Sequence, residues 1–187
     1  MTKLVLVAIA ALCLALPGFC QGTPEAPDVY TGVAIGTGGA AGGKSISFDF
    51  RVTRYTTDAE MESLAALLKS KGQDALLSKA EKLDVGRVNA VGRVGNQIAI
   101  ARKRQVDNQT VITIVTSRNM PFMELYNNGR STDYPFGLLK VKLDEKGQGT
   151  GQIMAAAKLQ FDKKQGRFEI ESFGNQYIKA VNVRPNK

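Results

Sequence analysis

Alternation of apolar and polar residues restricts the fold of this chain more than any other feature of its sequence. From Lys44 to Arg54, every second residue is apolar, and polar or charged residues fill the positions between them. Successive side chains of a β-strand point to opposite faces, so this pattern predicts a strand with one buried face. Further predicted strands, most of them bounded by turn residues, are Val29–Gly36, Val85–Val94, Gln97–Arg104, Thr110–Thr116, Leu138–Leu143, Gly149–Asp162, Arg167–Phe173 and Tyr177–Val183.

The spacing of apolar residues changes to that of a helix in one region, at about 57–83. Thr57 and Glu60 have the spacing of a capping box, and apolar residues follow at helical intervals up to Gly72, a residue typical of helix C-termini. Asp74–Leu83 is predicted to be a second, shorter helix. We therefore predict a mainly β (α+β) fold. It is an antiparallel β-barrel-like or strongly curved sheet of about eight to nine strands, with a helical hairpin inserted after strand 2.

The first residues predict export. A 13-residue apolar run, Leu4–Leu16, follows Lys3, and it is shorter than the roughly 20 residues that a membrane-spanning helix needs. Pro17 ends any helix formed by this apolar run, and small residues suited to signal cleavage follow. We predict a signal peptide at 1–21, an extended leader at 22–28 and a single antiparallel β domain at 29–187. The expected location is periplasmic or extracellular, with lipid anchoring through Cys20 as a minor alternative.

Composition argues against several enzyme chemistries. The chain has no histidine, and its two cysteines, Cys13 and Cys20, lie in or beside the predicted signal peptide. Triads that use histidine, histidine metal sites and a disulfide within the mature domain are therefore not expected. The Ser-x-x-Lys pattern of some hydrolases is also absent. We expect no catalytic residues, no cofactor and no metal ion.

One nucleotide-binding pattern does occur, at Gly38–Ser45, which matches the P-loop formula. A P-loop needs a helix directly after the loop, because the helix N-terminus holds the phosphates. Here the residues after Lys44 alternate as a strand. We therefore interpret this segment as a hairpin loop and do not expect the protein to bind a nucleotide.

The net charge of +8 favours an anionic partner. The run Arg102–Arg104 is strongly basic, although strand faces and edges often carry such charges for solubility alone. The predicted partners are a lipid, a small apolar molecule or an anionic component of the cell envelope. Nucleic acid is disfavoured, because aromatic residues are not interleaved with the basic ones.

The longest irregular segment, Ser117–Gly137, contains the candidate ligand-binding residues. A proline fixes its backbone between two aromatic residues, with charged residues close by, so it suits a lid over a barrel mouth. A tight corner packed on the end of the barrel explains the same residues. The candidates are Arg118, Arg130, Asp133, Tyr134 and Phe136.

Three functions remain open at the level of sequence. The first is a non-enzymatic exported binding module, whose interior would be lined by residues such as Val33, Ile46, Phe48, Ile100, Ala155 and Ala157. The second is a hydrolase that uses the carboxylates of Asp49, Asp133, Glu124 or Glu169. The third is a structural or partner-binding envelope protein with an open sheet edge or an exposed apolar patch. On strand 167–173 the face of Glu169 and Glu171 is expected to be solvated, and the face of Phe168 and Ile170 buried.

Three segments of the chain resemble known sequences. Thr31–Gly39, Leu83–Val88 and Asp133–Gly137 are similar to an uncharacterised family of exported bacterial proteins of unknown function. The resemblance implies export and a single domain. It implies no activity and no binding residues.

Overall fold

The structure is a computed structural model that describes residues 26–37, 42–120, 132–173 and 178–186. The predicted signal peptide, Cys20 and the leader up to residue 25 lie outside these ranges. The elements are β1 (Asp28–Gly36), β2 (Ser45–Val52), α1 (Asp58–Lys71), α2 (Gln73–Ala80), β3 (Gly86–Ala90), β4 (Asn96–Val106), β5 (Gln109–Thr116), β6 (Phe136–Leu143), β7 (Gly149–Asp162), β8 (Arg167–Ser172) and β9 (Ile178–Pro185).

The predicted mainly β fold with a helical hairpin after strand 2 is confirmed. Eight antiparallel strands close into a barrel in the order β1 to β7 and then β9, which pairs with β1. The ninth strand, β8, pairs with β7 alone among the described strands. Each neighbour along the chain from β1 to β7 is also a neighbour in the sheet, so short turns supply most of the connections.

The inside of the barrel is filled by side chains. Phe50, Ile114, Leu139 and Ile153 point inward with no exposed area, so no space as large as a water molecule adjoins them. Two aromatic contacts add to this core, because the ring of Phe50 stacks on that of Tyr30, with centroids 4.9 Å apart, and on that of Phe48 at 6.4 Å. Side chains therefore fill the described part of the interior around these four residues.

The prediction that Val33 faces the interior is wrong. The buried face of β1 carries Tyr30, Gly32 and Ala34, and Val33 lies on the outer face. Gly32 is opposite Phe48, and a Cβ at this glycine would lie 3.0 Å from two atoms of the ring. Small residues face inward here because the ring of Phe48 fills the space.

The predictions for Ile100 and Ala157 are also wrong, because irregularities shift both strands. The register of β4 against β5 changes between Ile98 and Ile100, so Ile98 points inward and Ile100 outward. A similar shift between β6 and β7 turns Ala157 outward, opposite Phe136. The predicted interior positions Ile46, Phe48 and Ala155 do contact the inner core.

The helical hairpin packs on the outer wall of the barrel. Outward residues of β4, β5, β6 and β7 meet the apolar face of α1 and α2 in a second core. Gln73, at the start of α2, fixes the hairpin to the sheet, because its side-chain oxygen accepts a hydrogen bond from the backbone N–H of Leu159 at 2.9 Å. The second core contains Leu64, Leu68, Leu76, Ala80, Ala99, Ile100, Val115, Phe136, Leu138 and Ala157.

The start of α1 makes one part of the fold sensitive to acid. The Thr57 hydroxyl accepts from the N–H of Glu60, and the Glu60 carboxylate accepts from the N–H of Thr57 at 2.8 Å. Hydrogen bonding from Arg54, and then from the backbone of Thr57, lowers the pKa of Glu60 from 4.5 to about 2. A lowered pKa means that the carboxylate stabilises the folded state above pH 4.5, and that this is lost as the pH falls towards 2.

We expect Glu60→Gln to be less stable than the wild type at neutral pH, and the difference to disappear as the pH falls from 4.5 towards 2. Urea unfolding of both proteins at several pH values, followed by circular dichroism, measures this difference. A difference that stays constant down to pH 2 would contradict the assigned role of the carboxylate.

Candidate functional site

The part of the outer wall that the helices leave uncovered carries a row of lysines. Outward positions of β6 and β9 are Lys140, Lys142 and Lys179, and all three side chains are exposed. Between them, Thr150 and Gln152 point outward from β7. These five residues line an open groove of about 590 Å³, which we call the lysine groove.

The strand register fixes the spacing of the charges. Lys140 is opposite Gln152 on β7, and Gln152 is opposite Lys179 on β9. Neighbouring strands lie about 4.8 Å apart, so the Cα atoms of the two lysines are about 10 Å from each other. Lys142 is two residues from Lys140 on the same strand, about 7 Å away. The Cα atoms of the three lysines are therefore spaced at roughly 7–10 Å from Lys142 to Lys140 to Lys179.

The floor of the groove depends on a close approach of two strands. A Cβ at Gly151 would lie 2.3 Å from the carbonyl oxygen of Lys140, a distance that no side chain tolerates. Only glycine therefore permits β6 and β7 to approach this closely beneath the lysines.

The groove is positive without local compensation. Among the described residues, no carboxylate lines it, and none of its three lysines forms an ion pair. Arg104 extends the same row, because it is opposite Val111, which is in turn opposite Lys142. This stretch of wall can therefore attract negative charge at little desolvation cost, since the lysines remain in water.

The basic run that the sequence singled out is divided between two roles. Arg102 donates to the carbonyl of Thr56 and to the carboxylate of Asp58, so it joins β4 to the start of α1. Lys103 forms an ion pair with Asp28 at 3.0 Å. Arg102 is aligned with Lys140 through Thr113, but its guanidinium is engaged at the start of α1. Arg104 lies in the row of the lysine groove and forms no ion pair with a described residue.

Asp28 has a second partner near the barrel end, because the hydroxyl of Tyr55 donates to it at 2.6 Å. Partial burial raises the pKa of Asp28, but the hydrogen bonds from Tyr55 and Lys103 outweigh it and lower the pKa below its usual value. Asp28 therefore acts as an anionic anchor that attaches the first strand to β4.

The four described candidate loop residues lie near one corner of the barrel, and none of them lines the lysine groove. Arg118 is exposed, and its carbonyl accepts from the hydroxyl of Thr116 at 2.6 Å. Asp133 is exposed, and its carbonyl accepts from the side chain of Gln73 at 3.2 Å. Phe136 is 1% exposed and belongs to the second core under the helices. Arg130 lies outside the described residues.

Tyr134 is held on several sides. Its hydroxyl donates to the carboxylate of Glu171, its carbonyl accepts from the side chain of Asn119, and its ring meets Phe173 edge-on with centroids 5.4 Å apart. The hydrogen bond to Glu171 raises the pKa of Tyr134, so the phenol stays neutral well above physiological pH. These contacts fit the tight corner that the sequence left open as the alternative to a lid.

The three described carboxylates that were considered for hydrolysis lie in different parts of the fold. Asp49 accepts a hydrogen bond from Asn89 at 2.8 Å on the outer wall between β2 and β3. Glu169, on β8, accepts from Arg167 at 3.0 Å. Asp133 is in the corner described above, and Glu124 lies outside the described residues. The carboxylates of Asp49 and Glu169 are thus each engaged in a local polar contact.

The prediction for the faces of β8 is wrong for its apolar side. Phe168 is 50% exposed and Ile170 is 52% exposed, whereas Glu169 is partly buried beside Arg167. The apolar face is exposed because β8 lies outside the barrel, where no opposing core covers it.

The residues around Lys44 adopt a hairpin. The N–H of Gly36 donates to the carbonyl of Lys44 at 2.9 Å, and β2 begins at Ser45. A strand therefore follows the P-loop pattern at the point where phosphate binding requires a helix. Residues 38–41 of the pattern lie outside the described residues.

The sequence did not identify the lysine groove. Lys140 and Lys142 alternate within a predicted strand, which was a visible signal for one face. Their association with Lys179 depends on the pairing of β7 with β9, and no local pattern shows that pairing.

Comparison of the chain with protein-family models, with curated proteins and with solved structures finds no match. In the described ranges, no helix has the length and apolar character needed to cross a membrane. The same ranges contain no group of three or more acidic or cysteine residues placed to hold a metal ion. The resemblance to exported bacterial proteins stays a prediction.

Proposed function

We propose that the protein is a non-enzymatic binding module that acts after export and binds an extended anionic ligand in the lysine groove. The observation that carries the proposal is the row of Lys140, Lys142 and Lys179 on β6 and β9, the two strands that flank β7, with no acidic residue among the described groove residues. A ligand that carries several negative charges along its length matches the row. Such a ligand is an anionic polymer or a patch of anionic lipid head groups at the cell envelope.

The packed interior favours an anionic ligand on the outer wall over an apolar ligand inside the barrel. Inward side chains from β2, β5, β6 and β7 have no exposed area, so the described interior offers no space beside them. The placement of Asp49 and Glu169 also favours binding over hydrolysis, because each carboxylate is engaged by a neighbouring side chain and the two lie on different strands.

Titration with inorganic polyphosphate, followed by calorimetry, tests the proposal directly. We expect saturable binding that weakens steeply when salt is raised, because the lysines act through screened charge. Vesicles of phosphatidylglycerol, compared with vesicles of phosphatidylcholine, distinguish a lipid surface from a soluble polymer. Absence of binding to both anionic probes at low salt would reject the proposed function.

A further inference from the structure

Among the described residues, no strand pairs with the outer edge of β8. Strand β8 continues the line of β9 along β7, but β1, the strand that would cover its outer edge, ends at Gly36. Gly36 is opposite Ile178, the first residue of β9, so the described part of β1 pairs with β9 and not with β8. The β7–β8 hairpin therefore extends beyond the barrel as a two-stranded arm.

Half of the backbone groups of β8 point toward this edge. The N–H of Phe173 bonds to the carbonyl of Ala156 on β7 at 2.9 Å. Bonding alternates along an antiparallel strand, so the N–H and C=O groups of Phe168, Ile170 and Ser172 point away from β7. No described strand accepts or donates to them. An unpaired row of this kind is a template for another strand.

Apolar surface lies beside the same edge. Phe168 and Ile170 share a face and are about half exposed. The ring of Phe168 contacts that of Phe161 on β7, with centroids 5.0 Å apart. The ammonium group of Lys69 on α1 lies over the ring of Phe161, at 5.2 Å from its centroid. The apolar face is thus continuous with the region under the helices. Exposed apolar residues beside an open edge are typical of an interaction surface.

The charges of β8 complement a second copy of β8. In an antiparallel pair with Glu169 opposite its own copy, Arg167 faces Glu171 twice and Phe168 faces Ile170 twice. A shift by one residue brings apolar side chains opposite polar ones. A shift by two residues either sets Glu169 against Glu171 or moves Ile170 opposite the turn. The repulsion between the two Glu169 carboxylates is reduced, because each one already accepts a hydrogen bond from Arg167 of its own chain at 3.0 Å.

We propose that β8 is a dimerisation strand, which pairs antiparallel with β8 of a second copy of this chain about a twofold axis at Glu169. The pairing joins two barrels through their arms and places the apolar residues of both copies side by side on one face. It is independent of the lysine groove, which lies on the wall formed by β6, β7 and β9.

Sedimentation velocity of the protein expressed from its full sequence tests the proposal, with a dimer as the expected species. Ile170→Pro removes an N–H that points to the open edge and leaves the bonds to β7 in place, so it is expected to give a folded monomer. Thermal unfolding monitored by circular dichroism confirms that this variant keeps its fold.

A charge exchange tests the register itself. Arg167→Glu and Glu171→Arg are each expected to raise the dimer dissociation constant roughly tenfold, and the double variant to restore it to within about twofold. The proposal would be overturned by a wild-type monomer at the highest soluble concentration, by a dimer that is insensitive to Ile170→Pro, or by a double variant that is no better than the single ones.

Discussion

Phe50→Ala is expected to lower the free energy of unfolding by about 3–5 kcal/mol, the largest stability effect that we predict for a single substitution. Phe50 has no exposed area, and its ring stacks on those of Tyr30 and Phe48. Its removal forfeits apolar burial and leaves a cavity that the closed barrel cannot fill by relaxation, because the eight strands constrain each other.

A matched control lies on the arm. Phe168→Ala removes the same atoms from a half-exposed position on β8, and we expect it to cost less than about 1 kcal/mol in a monomeric sample. Urea unfolding of both variants, made in the Ile170→Pro background so that association does not contribute, gives the comparison. Equal losses in the two variants would contradict a tightly packed barrel interior.

Replacing all three groove lysines, as Lys140→Gln, Lys142→Gln and Lys179→Gln together, is expected to weaken polyphosphate binding roughly 100-fold. A lysine close to an anionic surface contributes about 1 kcal/mol, so three contribute about 3 kcal/mol. The side chains are exposed and form no ion pairs within the described residues, so the fold should be unaffected. The slope of binding against salt should fall at the same time, because fewer counterions are displaced.

The chain offers a control with the same change in net charge. Lys146, Lys163 and Lys164 are exposed lysines in the turns before β7 and before β8, outside the lysine groove. Their combined replacement by Gln should reduce binding only severalfold, through the weaker overall field. If both triple variants lose affinity equally, net charge rather than the groove carries the binding, and the proposed site is wrong.

Much of the fold could be predicted from the sequence, because local rules decide it. Alternation from Lys44 to Arg54 corresponds to β2, and the capping box at Thr57 and Glu60 begins α1 as expected. Turn residues separate most of the strands, so the order of pairing follows the order of the chain. The helical hairpin after strand 2 could be predicted because the spacing of apolar residues changes there from that of a strand to that of a helix.

The positions of individual side chains were harder to predict, because they depend on contacts distant in sequence. Val33 is more apolar than Gly32, yet it faces outward, since the ring of Phe48 occupies the space beside the glycine. Ile100 and Ala157 point outward because strand irregularities shift the alternation, and apolar residues on both faces conceal such a shift.

The candidate site was hard to predict for the same reason, because it depends on contacts distant in sequence. The loop residues Asp133 and Tyr134 attracted attention because aromatic and charged residues are close in sequence there, and the structure places them in local contacts at a barrel corner. The lysine groove joins Lys140 to Lys179 across 38 intervening residues through the pairing of β7 with β6 and β9. A constellation of this kind becomes visible only when the register is known.

Amide chemical-shift mapping during a polyphosphate titration tests the central claim most directly, because it locates the ligand on the folded protein. We predict that the largest changes occur at 140–142 on β6, 150–152 on β7 and 179–181 on β9, and that they reverse when salt is raised. Largest changes at the inward residues of the barrel, or at the corner of Arg118 and Tyr134, would contradict the assignment of the binding surface to the lysine groove.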